Sequence, residues 1–480
     1  MAGIGFQLKK LFYKRGLTNT LKAYMYSTFV SIGPVIVSVI AINFMQYFLK
    51  ALRVDRLEME LLQATIMYSF MFAVIFSSGY CMFISRYLSD VLYDNRDQDI
   101  LPALLASLAV VVVLCGSVGI IFYINSPLPI LYKILAYSLY IGLVIEMLLA
   151  VFVSAINDYK EVSLGFLLGF LVAGLLAFII LKMGWLNVIY TMLLCFDVSI
   201  FIVSVILARA IKKRFHLSSN AYLTFLKHLR EVYGLWIINF FYTSGLYTHF
   251  FAYWIFAEIS QVVRGTYLYA PYYDIPASFA FLTIMPTLVL FVVKLETGFY
   301  VKYRNYFHMI NNGASYEDIE VAKIEMKRVL NKELLYIMEI QLFFSILAMV
   351  LGIRFLPMLG FSTSMVDMYS ILIIGYYCAV ISFVVMTILL YFNDVKSALI
   401  ISGSLAFFGF VFSLISVYFG EAYYGVGYFV GGLLTLIIAM LRLRTYMKNI
   451  EFNIFCEQVA WTKRSPNKFD KWVDRLNDLG

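Results

Sequence analysis

The sequence predicts an all-α integral membrane protein of twelve transmembrane helices. They are arranged as two pseudo-symmetric six-helix lobes around a central cavity, with amphipathic helices on the cytoplasmic side. Three observations predict this. Apolar stretches of about 20 residues, the length of helix that crosses a hydrocarbon core of roughly 30 Å, follow one another from Leu21 to Leu441. The basic residues fall mostly in alternate gaps between them. A short motif recurs at the same place in two halves of the chain.

Composition narrows the choice. Of 480 residues 62% are hydrophobic and 14% charged, against about a quarter charged in soluble domains. Backbone inside lipid must satisfy its own hydrogen bonds, which leaves helices or closed barrels. Continuous rather than alternating apolar runs select helices. No room remains for a large soluble domain.

The first 22 residues carry Lys9, Lys10, Lys14 and Arg15 and lack a small-residue cleavage pattern, so they read as a retained cytoplasmic amphipathic segment. The first lobe occupies 23–208, with spans at 23–49, 62–85, 101–123, 132–156, 162–181 and 186–208. A basic linker, 209–233, follows. The second lobe, 234–441, holds spans at 234–256, 277–294, 335–356, 369–392, 397–419 and 423–441, with a cytoplasmic insertion at 296–334. A tail, 442–480, closes the chain. With the N-terminus inside, 30 of the 37 Lys and Arg residues lie in cytoplasmic segments. The positive-inside bias therefore supports twelve spans with both termini cytoplasmic. The formal charge of +8 belongs to that asymmetry and implies no nucleic-acid partner.

Within the insertion, Ser315-Tyr-Glu-Asp318 starts a helix that places Ile319, Ala322, Met326 and Val329 on one face. In the tail Phe469, Trp472, Val473 and Leu476 form a similar stripe. Such helices lie on a membrane or dock a partner. Arg209, Lys212, Lys213, Arg214 and Trp472 are the candidate docking residues.

The repeat is Asn-Asp-x-Lys. It ends the fourth span as Asn157-Asp158-Tyr159-Lys160 and the tenth as Asn393-Asp394-Val395-Lys396. Six plus six helices of equal orientation imply a parallel repeat, and transporters built so hold substrate between their halves.

Ionisable groups at membrane depth are functional candidates by default. Glu146 lies in the fourth span and Asp197 in the sixth. They bind protons or cations, line a path with negative charge, or are buried structural carboxyls. Asn43, Gln46, Asn239 and His249 mark polar faces of the first and seventh spans, the equivalent helices of the two halves. Together these six residues form the candidate substrate pathway. The external run Tyr267-Leu-Tyr269-Ala-Pro-Tyr272-Tyr273 is either an interfacial cluster or a platform for sugar rings. Gly33-Pro34 and Pro286 favour bends. Gly165-x-x-x-Gly169 and Gly427-x-x-x-Gly431 suit close helix packing.

Catalysis finds no support. There is no P-loop, Gly425-x-Gly427 follows no strand, and Asp97-x-Asp99 stands in a short loop without a transferase domain. Five cysteines with no close pair argue against disulfides or zinc. No cofactor is expected.

The opening Met1-Ala-Gly-Ile-Gly-Phe6-Gln-Leu-Lys-Lys10-Leu, then Ala23-Tyr24 and Gly33-Pro34, resembles the Pel exopolysaccharide transporter family, PelG. Tyr273-Asp274-x-Pro276, Pro286, Lys294-Leu-Glu296-Thr297-x-Phe299 and Asn393-Asp394 extend the likeness along most of the chain. Gln7, Val35 and Gly298 depart from the family's pattern. The resemblance implies an exporter of the multidrug/oligosaccharidyl-lipid/polysaccharide flippase superfamily. Its partners would be a cytoplasmic glycosyltransferase, PelF-like, other Pel membrane components and an amino-sugar polymer rich in N-acetylgalactosamine or N-acetylglucosamine. Two further readings stand beside it: a cation-coupled small-molecule antiporter of the same superfamily, and a non-transporting scaffold that recruits the glycosyltransferase.

Overall fold

In the computed structural model, residues 49, 52–156, 159–215, 219 and 222–455 are described. The first span with Asn43 and Gln46, the Asn157-Asp158 copy of the repeat, and the tail beyond 455 with Trp472 lie outside them.

Ten helices among the described residues are long and apolar enough to cross a membrane. In the first half they are α1 (Arg56–Tyr93), α2 (Ile100–Ile124), α3 (Ile130–Ile156), α4 (Tyr159–Met183) and α5 (Val188–Arg214). The expected seventh span is broken in two: α6 (Thr224–Gly245) and α7 (Thr248–Phe256). A short antiparallel hairpin, β1 (Gln261–Val263) and β2 (Tyr267–Tyr269), follows. Then come α8 (Pro271–Phe281), α9 (Met285–Lys294), α10 (Tyr300–Asn311), α11 (Tyr316–Phe355), α12 (Thr363–Tyr391), α13 (Val395–Phe419), α14 (Val426–Lys448) and the short α15 (Ile450–Phe455).

The described chain divides into two compact units. One holds the residues up to 243 together with 261–269; the other holds 244–260 and 270–455. Expectation drew the lobe boundary at 234. The expected linker, 209–233, is largely helix, claimed by the end of α5 and the start of α6. Non-helical backbone at Val232 (φ −121°, ψ 20°) bends α6 where the span begins.

In the first unit α3 packs against α1, α2 and α5, and α4 against α5. Gly169 makes the last contact possible, because a Cβ there would stand 2.8 Å from the Ser199 carbonyl oxygen. The hairpin docks on α1. Leu268 donates its N–H to the Tyr68 hydroxyl (3.1 Å) and accepts that hydroxyl's proton at its own carbonyl (2.8 Å). Its turn needs left-handed backbone at Arg264 (φ 49°) and Gly265 (φ 64°), conformations that glycine adopts without strain.

In the second unit α14 packs between α12 and α13. At Gly427 a Cβ would overlap the Phe412 carbonyl, and at Gly431 it would lie 2.7 Å from the Phe408 carbonyl carbon. The described copy of the Asn-Asp repeat is a stop–start device. Asn393 takes left-handed backbone (φ 61°) after α12, and the Asp394 side chain accepts the Ser397 N–H at 3.0 Å to cap α13. Ser315 likewise accepts the Asp318 N–H and starts α11.

α11 joins the expected cytoplasmic helix and the ninth span in one run of 40 residues, about 60 Å at 1.5 Å per residue. That is roughly twice the hydrocarbon thickness. Its second half exposes Phe343, Ile346, Val350 and Ile353, and α4 exposes Leu171, Leu175 and Phe178. Large apolar side chains left outside a helical core are what lipid, rather than water, stabilises.

Candidate functional site

α5 carries Asp197 into the interior of the first unit. Both carboxylate oxygens are buried without a hydrogen-bond partner among the described residues. Ser138, on α3, is the neighbouring hydroxyl, but the pair does not close a bond of good geometry. Ser199 and Ser204 on the same helix also keep buried, unpartnered hydroxyls. Glu146, on α3, is 4% exposed and an electrostatic neighbour of Cys81 on α1. No hydrogen bond or ion pair between Glu146 and Asp197 occurs among the described residues. Burial without a partner is costly for the Asp197 carboxylate, a cost that protonation or a nearby cation lowers.

Asn239, on α6, donates its amide to the Ser78 carbonyl of α1 at 2.7 Å. Around it lies a surface that sequence reasoning missed. Trp236 and Phe240 present parallel rings 5.4 Å apart, 7° between planes, and Tyr80 meets Trp236 edge-on at 5.7 Å. Further along α1, Phe72 and Phe76 stack at 5.8 Å and 15° and help wall an apolar pocket of about 90 Å³. The i, i+4 spacing of Phe72, Phe76 and Tyr80, and of Trp236 and Phe240, was the available signal.

His249 lies wholly buried in the second unit. Its Nδ1 shares a hydrogen bond with the Tyr273 hydroxyl (2.8 Å) and its Nε2 one with the Tyr376 hydroxyl (3.0 Å). It thereby ties α7, α8 and α12 together. Tyr253 stacks on Tyr273 at 3.6 Å and donates or accepts at Ser416 (3.2 Å). The Asp274 carboxylate accepts the Trp254 indole N–H (2.9 Å) and the Ala270 N–H (2.9 Å). The histidine is a satisfied core group here, and Asp274, at a helix start, is the buried acid that the residue pattern did not flag.

The run at 267–273 is not an open sugar platform. Tyr267, Tyr269 and Tyr273 are buried. Alternation in β2 turns both its tyrosines inward, Tyr267 to the Tyr123 hydroxyl (2.9 Å) and Tyr269 to Gln63. Only Tyr272 is half exposed.

At the end of α5, Arg209, Lys212, Lys213 and Arg214 are all exposed, and cations suit the partial negative charge of a helix C-terminus. In the second unit the Lys323 ammonium bridges Glu320 and Glu451. Its hydrogen bond holds the Glu451 carboxyl below the ordinary glutamate range. No cluster of metal-ligating side chains occurs among the described residues.

Among curated protein sequences none matches significantly. Solved transporters match in fold. An outward-facing multidrug-resistance MATE transporter of the MOP superfamily is 12% identical with a TM-score of 0.59, over 90% of this chain and 96% of its own. The Vibrio cholerae MATE transporter VcmN in its bent form is 12% identical with a TM-score of 0.58, over 94% and 99%. A MOP superfamily transporter from Pyrococcus furiosus is 13% identical with a TM-score of 0.58, over 90% and 96%. Likeness at this identity establishes the fold. A family model described as "PelG: Putative exopolysaccharide Exporter (EPS-E)" matches residues 1–455. A match that runs through nearly the whole chain, on a multi-helix fold shared with solved transporters, places this multi-pass membrane protein in the PelG family: it is a transporter and not an enzyme.

Proposed function

We propose that this protein exports an amino-sugar exopolysaccharide of the Pel type, as free polymer or lipid-linked precursor, across the bacterial cytoplasmic membrane. A cytoplasmic glycosyltransferase supplies the chain, and other Pel membrane components work beside it. The observation that carries the reading is the family match over residues 1–455. The unpartnered carboxylate of Asp197 and the buried Glu146 support it, since a partly deacetylated amino sugar is cationic and compensates buried negative charge.

The same carboxylates favour a second reading, in which a proton or Na⁺ gradient drives the transport of a small molecule. Polymer export from cells carrying Glu146→Gln or Asp197→Asn separates these. Loss of at least tenfold in exported polymer, with no dependence on Na⁺ in wild type, supports a sugar-lined acidic path. Steep gradient dependence without any need for the glycosyltransferase supports the antiporter. Wild-type flux in both variants removes the two acids from the mechanism.

A further inference from the structure

We propose that Trp236, Asn239 and Phe240 of α6, with Tyr80 of α1, form a binding subsite for N-acetylhexosamine rings of the exported polymer. This deepens the exporter reading and rests on it.

The argument starts from polar groups that have nothing to bond. The Trp236 indole N–H, the Tyr80 hydroxyl and the side-chain carbonyl of Asn239 have no hydrogen-bond partner among the described residues. None of the three is a closed-off buried atom, and all three residues are partly exposed. Asn239 has spent its amide on the Ser78 carbonyl, so its carbonyl is held in place as a free acceptor. Hydrocarbon would leave one indole donor, one amide acceptor and one phenol unsatisfied together, each at a cost. The surface therefore fits water or a polar ligand better than lipid.

The same groups surround a flat apolar area. Trp236 and Phe240 lie within 7° of parallel, two aromatic rings long. The C–H face of a pyranose is apolar and packs on such rings, while its rim carries hydroxyls. An acetamido substituent adds one N–H donor and one carbonyl acceptor. Those complement the Asn239 carbonyl and the Trp236 N–H. A simple cation would use the rings and the oxygen acceptors but leave the indole donor unpaired, and a lipid chain would use the rings alone.

The local sequence is fitted to hold the indole there. Ser77, Ser78 and Gly79 are small and buried on α1. A Cβ on Gly79 would stand 2.8 Å from indole atoms of Trp236, so the glycine is what lets the ring lie against α1. By the expected topology Trp236 is near the cytoplasmic end of its span, the side from which a growing polymer enters.

The test measures binding of short N-acetylglucosamine and N-acetylgalactosamine oligomers to the full-length protein in lipid nanodiscs by calorimetry. Wild type binds. Trp236→Phe, which keeps a ring and loses only the indole N–H, weakens binding about threefold, the low end for one hydrogen bond. Trp236→Leu, Asn239→Leu and Gly79→Ala, the last displacing the ring without deleting it, each weaken binding about tenfold, the range of one aromatic contact. Unchanged affinity in Trp236→Leu overturns the subsite and leaves the exporter reading standing. Absence of binding in wild type overturns both. If the leucine variant does not fold, Trp236→Phe against Gly79→Ala still decides: equal affinity in those two overturns the subsite.

Discussion

Gln341 shows how one side chain can reshape a membrane helix. It sits fully buried in α11 and works on the segment around Pro286. In a regular helix Thr287 would donate its N–H to the Thr283 carbonyl. Instead the Gln341 Oε1 accepts the Thr287 N–H (3.2 Å) and hydroxyl proton (2.6 Å), and its Nε2 donates to the Thr283 carbonyl (2.8 Å). The amide is inserted into the ladder. A 3₁₀ turn, Leu282–Ile284, stands immediately before. A proline cannot donate, and an inserted side chain re-satisfies the groups that the bend frees. The bend at Pro286 was legible from the proline; its partner, Gln341, 55 residues later in the chain, was not. Gln341→Leu should strand a buried donor and a buried acceptor at about 1–3 kcal/mol each. The expected outcome is a clearly lower melting temperature in detergent, with Gln341→Glu at low pH recovering part of it; an unchanged melting temperature for Gln341→Leu would contradict the inserted-amide account.

At the scale of elements, long apolar helices were legible because hydropathy is summed over many residues and survives local irregularity. Short features were not. The hairpin strands are three residues each, and only the Tyr267-Leu-Tyr269 alternation and Gly265 hinted at them. The seventh span was expected as one helix, but backbone at Gly245–Tyr247 breaks it, and a Cβ on Gly245 would stand 2.9 Å from the Ala406 nitrogen of α13. Close approach of two backbones is invisible in a hydropathy window. The start of α11 is held to α15 by Lys323, through Glu451. Since Glu451 has a depressed pKa in the folded protein, the tie is fully present above the ordinary glutamate value of 4.5 and is lost as pH falls below it. Hydrogen exchange in α15, corrected for the intrinsic rate, should be constant from pH 6 to 8, about those usual working values, and faster once the carboxyl protonates. Glu451→Gln should show the faster exchange throughout. The effect is small because the pair is exposed at the glutamate.

For the whole molecule, composition and the run of apolar stretches sufficed for a multi-pass helical membrane protein, and the motifs shared with the PelG family for a transporter. The acidic candidates Glu146 and Asp197 could be named from sequence because a charge in an apolar run stands out. The aromatic surface at Trp236 could not, because in a chain that is 18% aromatic rings are background until geometry sorts buried from open ones. The proposed docking of a glycosyltransferase is tested at this scale. The exposed basic end of α5 gives a direct prediction: Glu substituted together for Arg209, Lys212, Lys213 and Arg214 should abolish co-purification of the transferase in low salt while leaving the exporter folded. Retained co-purification would overturn docking at this end of α5.

The hairpin has an implication for dissecting the gene. Residues 261–269 are encoded in the second half yet complete the first unit, where Leu268 satisfies Tyr68 and Tyr267 satisfies Tyr123. Cutting the reading frame once, anywhere in 209–233, therefore cannot release two self-sufficient products. The upstream fragment would be missing a piece of its own interior, and only co-expression with its downstream counterpart could restore it.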